Sequence, residues 1–285
     1  MAAILYTVFW ADGSADGLWL ATKAGWTGLA LVCPKTNWTK ARERVEFSRA
    51  GVYVLLSPST AGDDEIYIGE ADVLRNRLNN HYVNREWTRL VAFTTSDGSL
   101  NKAHVKDLES QLIVRAQQAK RAVVVNGKPS LAPQLSEVEK AFVDNFLADM
   151  LPVYRLVGVT AFTPVAEAVM AASASGAGTT LYLNVKQVSA RGQAVPDGFV
   201  VHEAVATANP SPGMPRAAAE RRKHLLDTGL LVPEGDHLRL TAPYVFSSPS
   251  AAAAVLVGYS INGLTQWKDQ KGVSLKELHQ TAVQG

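Results

Sequence analysis

Five side chains between residues 53 and 109 have the types needed to hydrolyse a phosphodiester: Tyr53, Tyr67, Arg77, His81 and Glu109. Attack of water on phosphorus requires a base for the water, a cation for the phosphoryl oxygens and a metal near the leaving group, because negative charge builds up during the reaction. A phenol, a guanidinium and a carboxylate-bound divalent ion can supply these three functions.

Two short strands are expected to position the tyrosines. Residues 52–56 and 65–69 are rich in β-branched and apolar side chains and flank a polar loop, which predicts a hairpin. Because side chains alternate along a strand, Tyr53 shares a face with Leu55, and Tyr67 shares a face with Gly69. Both phenols can therefore point to the same side of the sheet, and Gly69 suits a close approach by another group.

A helix after the hairpin carries the cation and the imidazole. Asp72 is expected to cap it, and apolar residues recur at helical spacing up to His81. At about 100° per residue, Arg77 falls at the edge of the apolar stripe beside His81, and Arg75 lies on the opposite flank. The spacing therefore predicts that Arg77 is the arginine held near the core.

A second helix, predicted from Asn101 to Lys120, carries Glu109. Val105 and Leu112 project into one apolar sector, and Glu109 falls inside that sector. A carboxylate among apolar neighbours is costly unless it is paired or binds a metal. Glu109 is thus either the structural partner of an arginine or a metal ligand. A third strand is expected at residues 89–95.

The order and spacing of these residues resemble the GIY-YIG nuclease family. Residues 51–53 and 67–69 correspond to its two tyrosine segments, and Arg77 and His81 follow Tyr67 by the ten and fourteen residues that are typical of the family. The resemblance implies an α+β module in which a small antiparallel sheet is flanked by helices. It also implies that Glu109 binds one Mg²⁺ or Mn²⁺.

The resemblance implies roles for the other residues as well. Tyr53 would orient or deprotonate the attacking water, Tyr67 would hydrogen-bond the phosphate or the water, and Arg77 would stabilise charge on the phosphate. Many family members carry a lysine three residues after the second tyrosine, where this chain has Glu70. His81 or Lys102 is the candidate to replace that lysine.

Nucleic-acid contacts are assigned to Arg75, Lys102 and Asn126. Asn126 resembles the late asparagine of the family, although an Asn-Gly pair is also a turn signal. The net charge of +2 means that any basic surface is local. Basic residues cluster in two stretches of the chain: Arg75, Arg77, Arg85, Arg89 and Lys102, and then Arg216, Arg221, Arg222 and Lys223.

The composition narrows the protein class. Cys33 is the only cysteine, which excludes an intramolecular disulfide and a zinc site made of several cysteines. The first residues do not have the pattern of a signal peptide, and no apolar run is long enough to span a bilayer. We therefore expect a cytoplasmic protein that does not bind membranes.

Four regions follow from the element pattern: a β-rich N-terminal extension at 1–48, a nuclease domain at 49–128, a helix and a strand packing on it at 129–170, and an α+β accessory domain at 179–285. Residues 171–178 are the linker candidate. Within these regions, residues 42–47 are expected to form a short helix, Ser136 and Glu139 a capping box, and residues 154–162 a strand.

The C-terminal region is similar to a domain of unknown function that often follows GIY-YIG modules. It also faintly resembles the restriction-enzyme-adenine-methylase-associated domain. Trp267 and Lys268 either contact a base and a phosphate or represent a core residue and a solvated one. Pro249 and Gly258 are expected at the start and the end of a helix.

The function expected from these features is metal-dependent endonucleolytic cleavage of DNA, in restriction or in defence against foreign DNA. One alternative is a nucleic-acid-binding protein that keeps the nuclease scaffold without turnover, as Glu70 suggests. Another is an RNA or repair nuclease, since no residue pattern identifies the sugar or the strand state.

Overall fold

A computed structural model describes residues 3–57, 65–128, 133–174 and 179–284. The chain divides into two compact units, with the boundary between Thr163 and Pro164. Each unit combines one β-sheet with helices. The mixed α+β class expected from the sequence is confirmed.

The first unit is built on a seven-stranded sheet. In chain order its strands are β1 (Tyr6–Trp10), β2 (Trp19–Lys23), β3 (Gly28–Pro34), β4 (Gly51–Ser57), β5 (Glu65–Ala71), β6 (Arg89–Thr95) and β7 (Val123–Val124). Across the sheet they lie in the order β1-β2-β3-β6-β4-β5-β7. Neighbouring strands are antiparallel, except that β5 and β7 are parallel. The three N-terminal strands thus extend the sheet that contains both tyrosine strands.

The described part of this unit contains the helices α1 (Trp38–Ala41), α2 (Leu74–Asn84), α3 (Lys102–Ala119) and α4 (Glu137–Leu156). Capping boxes start α3 at Asn101 and α4 at Ser136, so that side chains satisfy the first backbone N–H groups. The predicted strand at 89–95, the hairpin strands and the helix around Glu109 are confirmed.

The central strands are buried on both faces, and each face packs against its own helices. Val54 and Ile68 lie in one core with Leu108 of α3. Leu55 lies in another core with Leu78 of α2. Because α2 and α3 cover opposite faces, their side chains meet around the edge of the sheet at β5. That edge is largely unpaired, since β7 pairs only with the first two residues of β5.

The second unit is built on a six-stranded antiparallel sheet. Its strands are β8 (Leu181–Val185), β9 (Val188–Val195), β10 (Gly198–Thr207), β11 (Leu231–Glu234), β12 (His237–Leu240) and β13 (Tyr244–Phe246). They lie in the order β11-β12-β10-β9-β8, and β13 also pairs with β10. Its described helices are α5 (Val165–Ala174), α6 (Arg216–Asp227), α7 (Pro249–Val257), α8 (Gly263–Gln266) and α9 (Leu275–Gln284).

The ends of α7 agree with the prediction. Ser248 accepts a hydrogen bond from the backbone N–H of Ala251, Pro249 occupies the first turn, and Gly258 follows in the left-handed region with φ of 79°. Glycine is suited to that position because it has no Cβ to clash with the backbone. No helix in the described ranges combines the length and the apolar character needed to cross a bilayer.

Four element predictions were wrong. Residues 154–162 do not form a strand, because α4 continues through Pro152 to Leu156 and buries Tyr154 against Phe93 and Phe162. The short helix predicted at 42–47 has the wrong bounds: α1 ends before it, and a 3₁₀ helix covers Val45–Ser48. Asp72 does not cap α2, whose N-cap is Val73. In the predicted linker, 171–174 belong to α5, and 175–178 lie outside the described residues.

Candidate active site

Strand register brings the two tyrosines together. Tyr53 on β4 pairs with Gly69 on β5, and Leu55 pairs with Tyr67, so both phenols lie on the same face as predicted. Their ring centroids are 6.3 Å apart, and the rings are stacked with an angle of 26°. A Cβ on residue 69 would lie 2.4 Å from the Tyr53 hydroxyl oxygen. Glycine is therefore required there, because its missing side chain leaves the space that the Tyr53 ring occupies.

Helix α2 brings His81 to this pair. The histidine is buried on the same side of the helix as Leu74 and Leu78. Its Nε2 lies 2.8 Å from the Tyr53 hydroxyl oxygen, and its ring centroid is 5.0 Å from that of Tyr67. Its Nδ1 is buried and meets no hydrogen-bond partner within the described residues. The contact with Tyr53 is thus the polar contact that orients the imidazole.

The Tyr53–His81 hydrogen bond joins two neutral groups at neutral pH. Burial, together with the positive charges of Arg77 and Arg85, lowers the pKa of His81 to about 4. Burial and the neighbouring Tyr67 raise the pKa of Tyr53 above its usual value, although Arg77 acts in the opposite direction. Both shifts oppose transfer of the phenolic proton to the imidazole, so the two groups share a hydrogen bond and stay neutral.

Arg77 connects the tyrosines to a cleft. Hydrogen bonding with Tyr53, and further interaction with Tyr67, raises the pKa of Arg77. The side chain is nevertheless exposed, whereas Arg75 is half-buried. The prediction that Arg77 is the arginine held near the core was therefore wrong. Its stem lies at the surface, and its guanidinium is directed to the phenols and to the cleft.

The cleft has a volume of about 620 Å³ and opens between α2 and α3. Helix α3 contributes Lys102 and the half-buried Glu109, and α2 contributes Arg77. The remaining lining residues are Glu70, Ala71, Asp72, Val73, Asn76 and Asn80. The structure thus brings Glu109 and Arg77 to one cavity, although their helices pack on opposite faces of the sheet.

Both acidic and basic groups line the cleft. Lys102 Nζ lies 2.9 Å from a carboxylate oxygen of Asp72. Burial, and then the Asp72 carboxylate, raises the pKa of Glu70, while Lys102 and Arg77 oppose this effect. Lys102, one of the two candidates to replace the family lysine, thus lies in the same cavity as Glu70.

Two of the residues predicted to contact nucleic acid make structural hydrogen bonds. Arg75 donates a hydrogen bond to the backbone carbonyl of Arg44 at 3.1 Å and does not line the cleft. The amide of Asn126 bonds to both backbone polar groups of Ile68, accepting from its N–H at 3.0 Å and donating to its carbonyl. Asn126 therefore extends the pairing along the edge of β5.

Sequence reasoning gave no site role to Arg85. The guanidinium carbon of Arg85 lies 4.0 Å from the centroid of the Tyr67 ring, a cation–π distance. The signal available in the sequence was its position four residues after His81, a spacing that within a helix places two side chains on one side. That spacing is too common to single out one arginine.

A divalent cation fits the cleft only as a mostly hydrated ion. Among the described residues, no group of three or more His, Cys, Asp and Glu side chains is arranged to hold a metal. Glu109 supplies one carboxylate, and Glu70 and Asp72 add negative charge to the same cavity. Hard cations such as Mg²⁺ bind through one or two carboxylates and keep several waters, so this donor set is compatible with such an ion.

In the second unit, the structure decides the role of Trp267. Its side chain is fully buried, its ring lies 4.5 Å from that of Phe199, and its Nε1 donates to the carbonyl of Pro249 at 3.0 Å. Trp267 is thus a core residue, which confirms the second of the two interpretations and not the base-stacking one. Lys268 next to it is exposed.

Comparison with known proteins is informative only for the second unit. No match is found among curated proteins or among solved structures. A protein-family model matches residues 181–279, from the first strand of the second unit into its last helix. This segment is thereby assigned to the domain of unknown function DUF4357.

Proposed function

We propose that the first unit is a metal-dependent endonuclease of the GIY-YIG type that hydrolyses phosphodiester bonds in DNA. One observation carries the proposal: Tyr53, Tyr67 and His81 are in mutual contact, and Arg77 joins them to the cleft that Glu109 lines. These five groups come from two strands and two helices, so their convergence is a property of the fold and not of local sequence.

In this proposal, water attacks the phosphorus while the bond to the 3′ oxygen breaks. Arg77 binds the non-bridging phosphate oxygens, because its exposed guanidinium is already held by the phenols. Glu109 is the residue that holds Mg²⁺ or Mn²⁺, an ion that supplies charge neutralisation at the phosphate. Lys102 is the ammonium in the cleft that can donate a proton to the leaving oxygen.

A phenol can take the proton of the attacking water only after it has released its own proton to solvent. Tyr67 is half-buried and accessible, whereas Tyr53 has no exposed surface. Tyr67 is therefore the phenol that orients the water or the phosphate in the resting site. Tyr53 keeps its proton, because burial raises its pKa, and it holds His81 through their hydrogen bond.

The second candidate is a nucleic-acid-binding protein without turnover. The observation that favours it is the position of Glu70 and Asp72 in the cleft, where they add negative charge beside the phosphate position. A third candidate is a nuclease acting on RNA or on repair intermediates. The three differ in what they cut and in whether they cut at all.

The test is incubation of the purified protein with plasmid DNA, single-stranded DNA and RNA, each with Mg²⁺, Mn²⁺ or a chelator. We expect metal-dependent cleavage of DNA. Glu109→Gln keeps the shape of the side chain and removes its charge, so we expect cleavage to fall below detection while the unfolding curve stays close to wild type.

Glu43→Gln is the matched control, since Glu43 is exposed and pairs with the adjacent Arg42. Cleavage by Glu109→Gln at the wild-type rate would contradict the assigned site. Binding of DNA without cleavage under any metal condition would favour the non-catalytic alternative.

A further inference from the structure

Tyr67 is enclosed by charged and aromatic groups. The Tyr53 and His81 rings lie 6.3 and 5.0 Å from its ring centroid. Arg77 interacts with its hydroxyl group. The Arg85 guanidinium carbon, at 4.0 Å from the centroid, is the nearest of the cations that contact aromatic rings in the described residues.

The backbone of Arg85 is fixed on both sides of the residue. Arg85 follows the last residue of α2 in an extended conformation, with φ of −136° and ψ of 144°. Its N–H donates to the carbonyl of His81 at 3.0 Å, and its carbonyl accepts from Lys35 Nζ at 2.8 Å. The extended conformation ends α2 and sends the side chain back toward β5. Arg85 is thus held in place independently of any bound ligand.

The site uses Arg77 and Arg85 differently. Arg77 is exposed, lines the cleft and interacts with the phenol oxygens. Arg85 is half-buried, contacts the Tyr67 ring and does not line the cleft. A planar guanidinium stacked on a ring restricts the rotation of that ring, and a flexible ammonium does this less well.

We propose that Arg85 is a positioning residue of this site: stacked on Tyr67, it fixes the orientation of the phenol that meets the substrate and makes no phosphate contact of its own. The inference rests on the proposed function for the identity of the substrate. The contact between Arg85 and Tyr67 is a property of the protein alone.

A positioning role and a phosphate contact give different kinetics. If Arg85 acts through Tyr67, Arg85→Gln lowers kcat by about 10- to 100-fold, as small misplacements of reacting groups do, and leaves KM and DNA affinity near wild type. If Arg85 binds phosphate, the same change weakens DNA binding and lowers the slope of log affinity against log salt by about one. Arg85→Lys, which keeps the charge and loses the planar stack, should fall between Arg85→Gln and wild type.

A double-mutant cycle with Tyr67→Phe tests whether Arg85 acts through the phenol. The Phe variant keeps the ring and removes the hydroxyl that Arg85 is proposed to orient. We expect Arg85→Gln to have little further effect on kcat in that background. Arg42→Gln removes one exposed positive charge that pairs with its neighbour Glu43, and it should change neither kcat nor KM. A full Arg85 effect in the Tyr67→Phe background, or a change confined to affinity, would overturn the proposal.

A second readout does not depend on cleavage. Arg85 contributes to the low pKa of His81, so NMR titration of that imidazole should show a pKa above about 4 in Arg85→Gln. In the same samples, the ring resonances of Tyr67 should shift in Arg85→Gln and stay in place in Arg42→Gln. If the wild-type protein cuts no nucleic acid, the proposed function fails, and these spectra still decide the role of Arg85. Unchanged Tyr67 resonances would refute it.

Discussion

The hydrogen bond between Tyr53 and His81 makes the candidate site sensitive to the charge of one imidazole. Protonation of His81 would place a cation in a buried position that already faces Arg77 and Arg85. It would also remove the lone pair that can accept a hydrogen bond from Tyr53. The site therefore favours conditions in which His81 is neutral.

The stability of the protein should depend on pH through this residue. The pKa of His81 is about 4 in the folded protein, against an ordinary value of 6.5. Between these values the unfolded chain binds a proton that the native state does not, so the free energy of unfolding should fall as pH drops from about 6.5 to 4. Urea unfolding of wild type and His81→Gln across this range measures the effect.

The comparison between the two proteins isolates His81. His202 also has a lowered pKa, caused mainly by burial, and it contributes equally to both proteins. The free energy of unfolding of wild type minus that of His81→Gln should therefore decrease as pH falls and become constant below about pH 4. A pH-independent difference across the whole window would contradict the assignment.

At the level of elements, the exposed edge of β5 is the feature that makes a site possible. Helices α2 and α3 cover opposite faces of the sheet, and their polar side chains meet where the edge is not paired by another strand. Asn126 pairs with Ile68 by its side-chain amide, in the manner of a further strand. Its amide satisfies the backbone hydrogen-bonding groups of Ile68, and Asn126 does not line the cleft.

Removal of this amide should cost stability and leave DNA affinity unchanged. Asn126→Ala exposes no new charge but leaves the N–H and the carbonyl of buried Ile68 without their partner. Unsatisfied buried backbone groups cost about 1–3 kcal/mol, so we expect a loss of this size in chemical denaturation.

Asn84→Ala is the control for this prediction, since Asn84 is exposed and its amide donates to the carbonyl of Asn80, one turn earlier in the same helix. It should change stability by less than about 0.5 kcal/mol. A loss of DNA binding by Asn126→Ala without a loss of stability would restore the nucleic-acid contact predicted from the sequence.

At the level of the whole molecule, each unit has its own hydrophobic core. In the first unit the cores lie on the two faces of one sheet, with Val54 and Leu55 on opposite sides. In the second unit Trp267 packs with Phe199 beneath a separate sheet. Core residues of one unit should therefore have no effect on local stability in the other.

Trp267→Ala tests this independence. Loss of a fully buried tryptophan costs about 3–5 kcal/mol. We expect the amides of β8 to β10 to lose protection in native-state hydrogen exchange, while those of β4 to β6 keep theirs. Trp10→Ala, at a tryptophan that is 56% exposed, should affect neither set. A uniform loss of protection in both units after Trp267→Ala would show that they unfold as one.

Features that depend on short stretches of sequence were predicted correctly. Alternation placed Tyr53 and Tyr67 on one face, and helical periodicity placed His81 on the buried side of α2. Capping boxes and glycine stops marked the ends of helices, because those signals act over a few residues. The mixed α+β class followed from the same patterns.

Features that depend on packing between distant segments could not be predicted in this way. The prediction of a strand at 154–162 failed because burial of Tyr154 against residues far along the chain outweighs the β-propensity of that segment. Likewise, the contact of Arg85 with Tyr67 and the pairing of Asn126 with Ile68 join residues from separate elements. Local sequence patterns do not predict such contacts, because the contacts form only when strands pair and helices pack.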